Sequence, residues 1–216
     1  MIAYSGAGAE EYRAIGYPHD RVYVAPNATT GPPPELRQRE VADVPRVLFV
    51  GRLQERKRVH FLLRACSAQQ LKPELLIVGD GPERRDLEQM AAKEYPEARF
   101  TGALYGEDLE DIFRQADLFV LPGTGGLAVQ EAMAHGLPVI VAEADGSQRD
   151  LVGSENGWLV PPGDLNALTE ALRNALDRRD RLPKMGAASR RVVSERVNIE
   201  IMTEIFLKTL NQAIQT

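Results

Sequence analysis

Cysteine is almost missing from this sequence. Cys66 is the one thiol, which excludes a disulfide framework and a zinc site built on cysteines. Histidine is nearly as scarce: His19, His60 and His135 stand far apart and share no metal-ligand spacing. No apolar run approaches the roughly 18 residues a bilayer span needs, and no signal peptide is visible. Positive charge is not in excess either. The 26 Lys and Arg residues face 31 Asp and Glu, for a net charge of −5. Such a balance is poorly suited to nucleic acid or an anionic membrane surface. Asn27-Ala28-Thr29 fits the glycosylation pattern, but so short a pattern recurs by chance. What is there is ordinary globular composition, 44% hydrophobic and 26% charged over 216 residues. A cytoplasmic location, no nucleic-acid partner and no bound metal are therefore expected.

The chain opens with Ile2-Ala3-Tyr4-Ser5, without a cap or preceding element, as if continuing something longer. Glu10 to Ile15 reads as a short helix stopped by Gly16-Tyr17-Pro18, and Arg21 to Ala25 as strand-like. Residues 1–25 read as the remnant of a preceding domain. Residues 26–45, rich in Pro, Asn, Thr and Gly, read as a linker.

From residue 46 strands and helices alternate. Val47–Val50, Leu75–Val78, Arg99–Thr101, 117–121, 138–142 and Gly157–Val160 are apolar strand-like runs. Helical patterns follow over Lys57–Gln69, Glu83–Lys93, Glu107–Gln115, the stretch after Gly126, and Leu165–Asp177. Two further helices, about 180–196 and 198–214, finish the chain. Near-continuous apolar strands alternating with helices predict an α/β fold with a Rossmann-like, doubly wound, six-stranded parallel sheet over 46–216. In the order 3-2-1-4-5-6, strands one and four meet at the switch point, where ligands bind off the carboxyl ends.

Two features converge there. Strand one ends in Gly51-Arg52-Leu53-Gln54-Glu55-Arg56-Lys57-Arg58. Arg52 and Lys57 flank the strand end and are the candidate phosphate ligands, whereas Arg56 and Arg58 suit a solvated loop and helix start. Strand four ends in Pro122-Gly123-Thr124-Gly125-Gly126-Leu127. The glycines allow close backbone approach, and the following helix offers free amides and a positive dipole end to an anion. Glu131 sits just over a turn inside that helix among apolar neighbours, where a carboxylate needs a partner such as a ribose diol or a cation. His135 reads as a helix C-terminal residue. Gly79-Asp80-Gly81-Pro82 reads first as a plain turn and second as a ligand lining. Phe100 to Gly106, including Leu104, could offer backbone groups to a nucleobase. A rival reading takes Gly123-x-Gly125-x-x-Ala128 as a dinucleotide fingerprint, with Glu143 or Asp145 as the ribose acid, although three strand–helix units precede it.

Six segments carry a resemblance. Val47–Leu53 with Lys57, Ile77–Pro82, Phe100–Gly102, Ala116–Pro122, Gln130–Ile140 and Asn156–Asp164 resemble the donor domain of retaining GT-B glycosyltransferases of family 4. The resemblance implies the C-terminal half of a GT-B fold and transfer of a sugar from a nucleotide-diphosphate donor with retention and no metal or other cofactor. It implies that Arg52 and Lys57 hold the diphosphate and stabilise it catalytically. Gly51, Gly125, Gly126, Leu127 and Leu104 then line the donor with backbone groups, and Glu131 binds the ribose hydroxyls. The first glutamate of the family's pair falls at Gly123, so the nucleotide should be held more firmly than the sugar. The acceptor, a saccharide or lipid-linked glycan, would bind mainly to an N-terminal half, which would also make any peripheral membrane contact. This chain alone would then bind donor but transfer little. A NAD(P)-binding domain and a non-catalytic nucleotide-binding-like module are the alternatives.

Overall fold

The computed structural model describes residues 1–28, 30, 31, 33 and 42–214. Its centre is a six-stranded sheet of β3 (Arg46–Val50), β4 (Glu74–Val78), β5 (Arg99–Gly102), β6 (Leu118–Leu121), β7 (Val139–Ala142) and β8 (Gly157–Val160). The strands run β5-β4-β3-β6-β7-β8 and every neighbouring pair is parallel. This is the doubly wound order expected from the alternation. All four residues of β6 and of β7 are buried, as a sheet covered on both faces requires.

Helices cover both faces. α2 (Val59–Ser67) packs against α7 (Leu165–Asp177) and α3 (Arg84–Glu94), while α5 (Leu127–Ala134) packs against α8 (Leu182–Arg196). In α7 the buried residues Leu168, Ala171, Leu172 and Ala175 follow helical spacing. Its start is fixed by Asp164, which accepts a hydrogen bond from the Ala167 N–H at 2.9 Å. α4 (Gly106–Gln115) turns Phe113 inward, where its ring lies 6.4 Å from that of Phe119 on β6. Each such buried ring contributes about 1.5–3 kcal/mol by leaving water.

Before the sheet lies a small unit of β1 (Ile2–Ala3), α1 (Gly6–Ala14) and β2 (Tyr23–Val24), with β1 and β2 parallel. It has its own apolar cluster of Ala3, Ala9 and Val22. Ser5 caps α1 by accepting from the Gly8 N–H at 3.1 Å. The opening residues thus contain both a strand and a cap, against expectation. The seryl oxygen serves α1, which begins four residues before the predicted helix. The unit is tied to the rest of the chain. The Gly6 N–H donates to Asp150 of α6 (Gln148–Leu151) at 2.7 Å, and the Tyr23 hydroxyl donates to Gln212 of α9 (Ile199–Ile214) at 2.5 Å. Much of the predicted linker, residues 29, 32 and 34–41, lies outside the described residues. Its beginning is packed: Ala28 is buried in the main core.

The helix predicted from Lys57 begins at Val59. Glu55–Lys57 forms a 3-10 turn, and Arg58 takes a left-handed backbone (φ 52°) that breaks it from α2. Arg58 is held there by stacking over the Phe61 ring at 5.7 Å.

Gly186 gives a test of this packing. It lies inside α8, where glycine normally costs about 1 kcal/mol relative to alanine. Here a Cβ would overlap the Gly136 carbonyl oxygen and lie 2.8 Å from its carbon. Gly186→Ala is therefore expected to destabilise by more than about 1 kcal/mol, read from urea denaturation midpoints; a gain in stability would contradict this helix contact.

Candidate functional site

At the carboxyl end of the sheet, β3 and β6 lie side by side, with Val47 opposite Leu118 and Leu48 opposite Phe119. The loop leaving β3, residues 51–57, is wedged between its neighbours. On one side it meets the turn after β4. The Gly51 N–H donates to Val78, the Leu53 N–H to Asp80 and the Glu83 N–H to Leu53, at 2.9–3.1 Å. A Cβ on Gly79 would stand 2.9 Å from the Gly51 carbonyl carbon, and one on Gly81 2.8 Å from that of Leu53. On the other side the loop meets the turn after β6. The Thr124 N–H donates to the Arg56 carbonyl at 3.0 Å, and Arg56 Nη1 donates to the Thr124 hydroxyl at 3.3 Å. Leu53 plugs the loop into the core, fully buried.

This wedge fixes a cleft of about 770 Å³. Gly51 and Arg52 form its floor at β3. Gly79, Asp80 and Gly81 form one wall, Ala103–Gly106 the far end, and Glu131 of α5 the opposite side. Arg52 is exposed at the mouth. The turn at Gly79 to Gly81 thus lines the cleft as well as clamping the loop, so both readings of it apply. The Asp80 carboxylate is occupied: it accepts from the Gly81 N–H at 2.7 Å and from Arg84 Nη1 at 3.0 Å, and these bonds hold its pKa below the usual range.

Lys57 lies at the seam between the β3 loop and the Gly125 turn. Its stem passes Gly51, and its ammonium occupies the space a Gly125 side chain would need. Burial lowers its pKa and nearby Arg56 adds to the effect. Among the described residues the ammonium finds no carboxylate or carbonyl partner. Glu131 is its counterpart of opposite sign. Burial raises its pKa and Glu110 adds to this, opposed by His135. No ion pair joins Glu131 to a cation among the described residues. The half-buried acid lines the cleft, the half-buried cation lies beside the cleft residue Gly51, and the two do not pair. Both carry the desolvation cost of a charge that has no partner among the described residues.

The glycine turn is divided from this cleft. Gly125, Gly126 and Leu127 line a second, smaller cavity of about 110 Å³, together with Asn27, Gln130 and Asp145. Lys57 lines neither space; it lies between Gly51 of the first and Gly125 of the second. Among the described residues no side chain caps the N-terminus of α5, and its first amides have no intrahelical partner. His135 ends α5 as read from sequence, stacked on Phe113 at 4.9 Å with Nδ1 2.9 Å from the Glu131 carbonyl.

Three features were not foreseen. Tyr105, 80% exposed, stands at the rim of the cleft beside Leu104; an aromatic next to Gly106 at a helix start was the available signal. Gln130 is 5% exposed and donates to the Asn27 carbonyl at 2.6 Å, tying α5 to residues before the sheet. Gly123 is pressed against the backbone of residues 56 and 57 rather than facing the cleft. The dinucleotide fingerprint loses its support here. Its first glycine is taken up by that packing, and Glu143 is held by Arg149 at 3.0 and 3.2 Å.

Residues 44–178 match the family model described as "Glycosyl transferases group 1". The chain belongs to this family. Among curated glycosyl transferases, the sulfoquinovosyl transferase SQD2 of Arabidopsis thaliana is 35% identical over 153 residues, covering 68% of this chain and 29% of that one. A GDP-mannose-dependent alpha-mannosyltransferase of Mycobacterium tuberculosis is 37% identical over 151 residues, covering 68% and 38%. The chain thus spans well under half the length of these relatives. Among solved structures, sucrose-phosphate synthase from Thermosynechococcus elongatus superposes with a TM-score of 0.80 at 28% identity, over 99% of this chain and 58% of that one. Anabaena HepE in complex with UDP gives the same score at 21% identity, over 98% and 63%. This member of the group 1 family therefore carries the Rossmann-like sheet of GT-B glycosyltransferases. Among the described residues, no helix is long and apolar enough to cross a membrane.

The burial of Glu131 has a measurable consequence. A raised carboxyl pKa means that the folded state holds its proton more tightly than the unfolded chain. This acid's contribution therefore falls as pH rises from the ordinary carboxyl range through the raised folded value. Glu131→Gln is expected to raise the thermal midpoint of the ligand-free protein at neutral pH and to flatten that fall, measured by melting across pH 4 to 8. An unchanged pH profile would place Glu131 in solvent.

Proposed function

We propose that this chain is the donor-binding part of a retaining, family 4 glycosyltransferase that takes a sugar from a nucleotide diphosphate. The observation that carries this reading is a pair of charges without partners among the described residues, Glu131 in the cleft and Lys57 beside the cleft residue Gly51. Among the described residues Lys57 meets no anion and Glu131 accepts no hydrogen bond. A nucleoside diphosphate satisfies both: its phosphates meet the cation, and its ribose hydroxyls donate to the carboxylate. Family membership supports the reading. So do the relative named as GDP-mannose-dependent and the HepE structures in complex with UDP and with UDP-glucose.

In this reading the base lies at the far end of the cleft, against Leu104 and its neighbours. Glu131 takes the ribose diol. Arg52 and Lys57 take the diphosphate, with the backbone of Gly51 below and the amides of Gly125, Gly126 and Leu127 beside them. As the bond from the anomeric carbon to the leaving phosphate oxygen breaks, negative charge builds on the diphosphate. Cations and amides already aimed at that place lower the barrier without having to reorganise. They supply the charge stabilisation that a divalent metal provides elsewhere. Arg52 and Lys57 are catalytic in this sense, and the reaction is taken to need neither metal nor further cofactor.

The domain reading follows. Residues 46–216 are the nucleotide-sugar domain, 26–45 the linker, and 1–25 the end of an N-terminal acceptor domain. That half would hold a saccharide or lipid-linked acceptor and make any membrane contact, working from the cytoplasm. This chain alone would bind donor but transfer little sugar.

Calorimetric titration with UDP, GDP and ADP tests the reading. One of the three is expected to bind, and Arg52→Ala and Glu131→Ala are each expected to weaken it about tenfold or more, or ~1.4 kcal/mol. A folded protein that binds none of them, or variants that bind like the parent, would sink the proposal.

A further inference from the structure

Gly123 stands where the family resemblance puts a carboxylate, yet its surroundings leave no room for one. A Cβ at this position would overlap the Arg56 carbonyl oxygen and lie 2.6 and 2.7 Å from the carbonyl carbon and Cα of Lys57. These are backbone atoms, which cannot swing aside as a side-chain end can. The contact is also fastened. The Thr124 N–H donates to the Arg56 carbonyl at 3.0 Å and the Arg56 guanidinium returns a bond to the Thr124 hydroxyl at 3.3 Å. On its other flank the loop is held by Asp80 through the Leu53 N–H at 2.9 Å.

Between these two fastenings Lys57 has one course. Its own N–H donates to the Gln54 carbonyl at 2.8 Å, closing the 3-10 turn that aims its side chain. Its Cε passes 3.8 Å from where a Gly51 Cβ would be, and its ammonium fills the space beside Gly125, whose φ of 143° suits glycine. The slot is therefore lined by glycine on two sides and floored by Gly123 beneath the Lys57 backbone. An ammonium held there, half-buried and without a partner among the described residues, lies between Gly51 of the cleft and Gly125 of the turn before α5.

We propose that Gly123 is a positioning residue: its missing side chain lets the backbone of residues 56–57 seat against the end of β6, which sets the Lys57 ammonium where a donor diphosphate binds. The inference rests on the donor-site reading above. It reverses the meaning of the glycine at this position. A carboxylate placed here would not add a sugar ligand; it would displace the cation that meets the phosphates.

The test is a double-mutant cycle read by calorimetry with UDP, GDP and ADP and with the corresponding monophosphates. Gly123→Ala is expected to weaken the bound diphosphate tenfold or more and the monophosphate much less, since the loss lies in the cation and not in the base or ribose contacts. In a Lys57→Ala background the same substitution is expected to change diphosphate affinity by less than about twofold. Equal losses in both backgrounds would mean that Gly123 serves only stability, and would overturn the inference alone. So would a Gly123→Ala protein that binds like the parent. A parent that binds no nucleoside diphosphate would overturn the donor-site reading and this inference together. Lys57→Arg keeps the test open if Gly123→Ala does not fold. A guanidinium keeps the charge but is too wide for the slot, so it is expected to bind diphosphate as weakly as Lys57→Ala. Parental affinity in the Lys57→Arg variant would show that the slot is loose and the positioning absent.

Discussion

The structure depends on the close approach of three backbones at the carboxyl edge of the sheet. The loop after β3 is gripped by the turn after β4 on one side and by the turn after β6 on the other. Each contact is carbonyl against glycine, so none tolerates a Cβ. Backbone contacts of this kind are rigid, because a main-chain atom moves only if its whole strand end moves. The cleft inherits that rigidity. Its floor, one wall and the course of Lys57 are set by main chain; Arg52 and Glu131 supply charge, and Leu104 and Tyr105 line the far end.

The charges are placed at a cost. Lys57 and Glu131 are both partly withdrawn from water, and burial pushes each toward its neutral form. Elsewhere in the chain cations and acids pair freely, as in Arg149 with Glu143 or Arg84 with Asp80 and Glu88. Among the described residues, two groups at the switch point are left without such relief. Sites that bind charged ligands commonly carry a deficit of this sort, since the ligand supplies the missing partner. The same logic separates the two cavities. The larger has the acid and the exposed arginine, the smaller has the start of α5, and Lys57 lies between Gly51 of the one and Gly125 of the other.

Much of the fold was legible before any coordinates. Apolar runs such as Leu118–Leu121 and Val139–Ala142 are buried strands because no polar side chain interrupts them. Strand–helix alternation dictated a parallel sheet, and the strand order followed from how such sheets wind. The boundaries were read less well. Arg58 in a left-handed conformation delays α2 by two residues, and it is stabilised by Phe61 through a stacking contact that propensity alone does not reveal. The cap at Ser5 and the short strand before it escaped notice, since β1 is two residues long and exists only by pairing with β2 across the intervening helix.

For the site, residue types and spacing by themselves determined that Gly51, Arg52, Lys57, Glu131 and a glycine turn belong at one end of the sheet. Parallel strands leave their carboxyl ends together, so residues just past them must meet. Tertiary structure decided the rest. It gave Gly123 to the Lys57 loop instead of to a ligand, set Gly125 to Leu127 in a cavity apart from the cleft, and left Lys57 and Glu131 without partners among the described residues. These outcomes turn on close approaches between segments far apart in the chain, which local sequence does not encode.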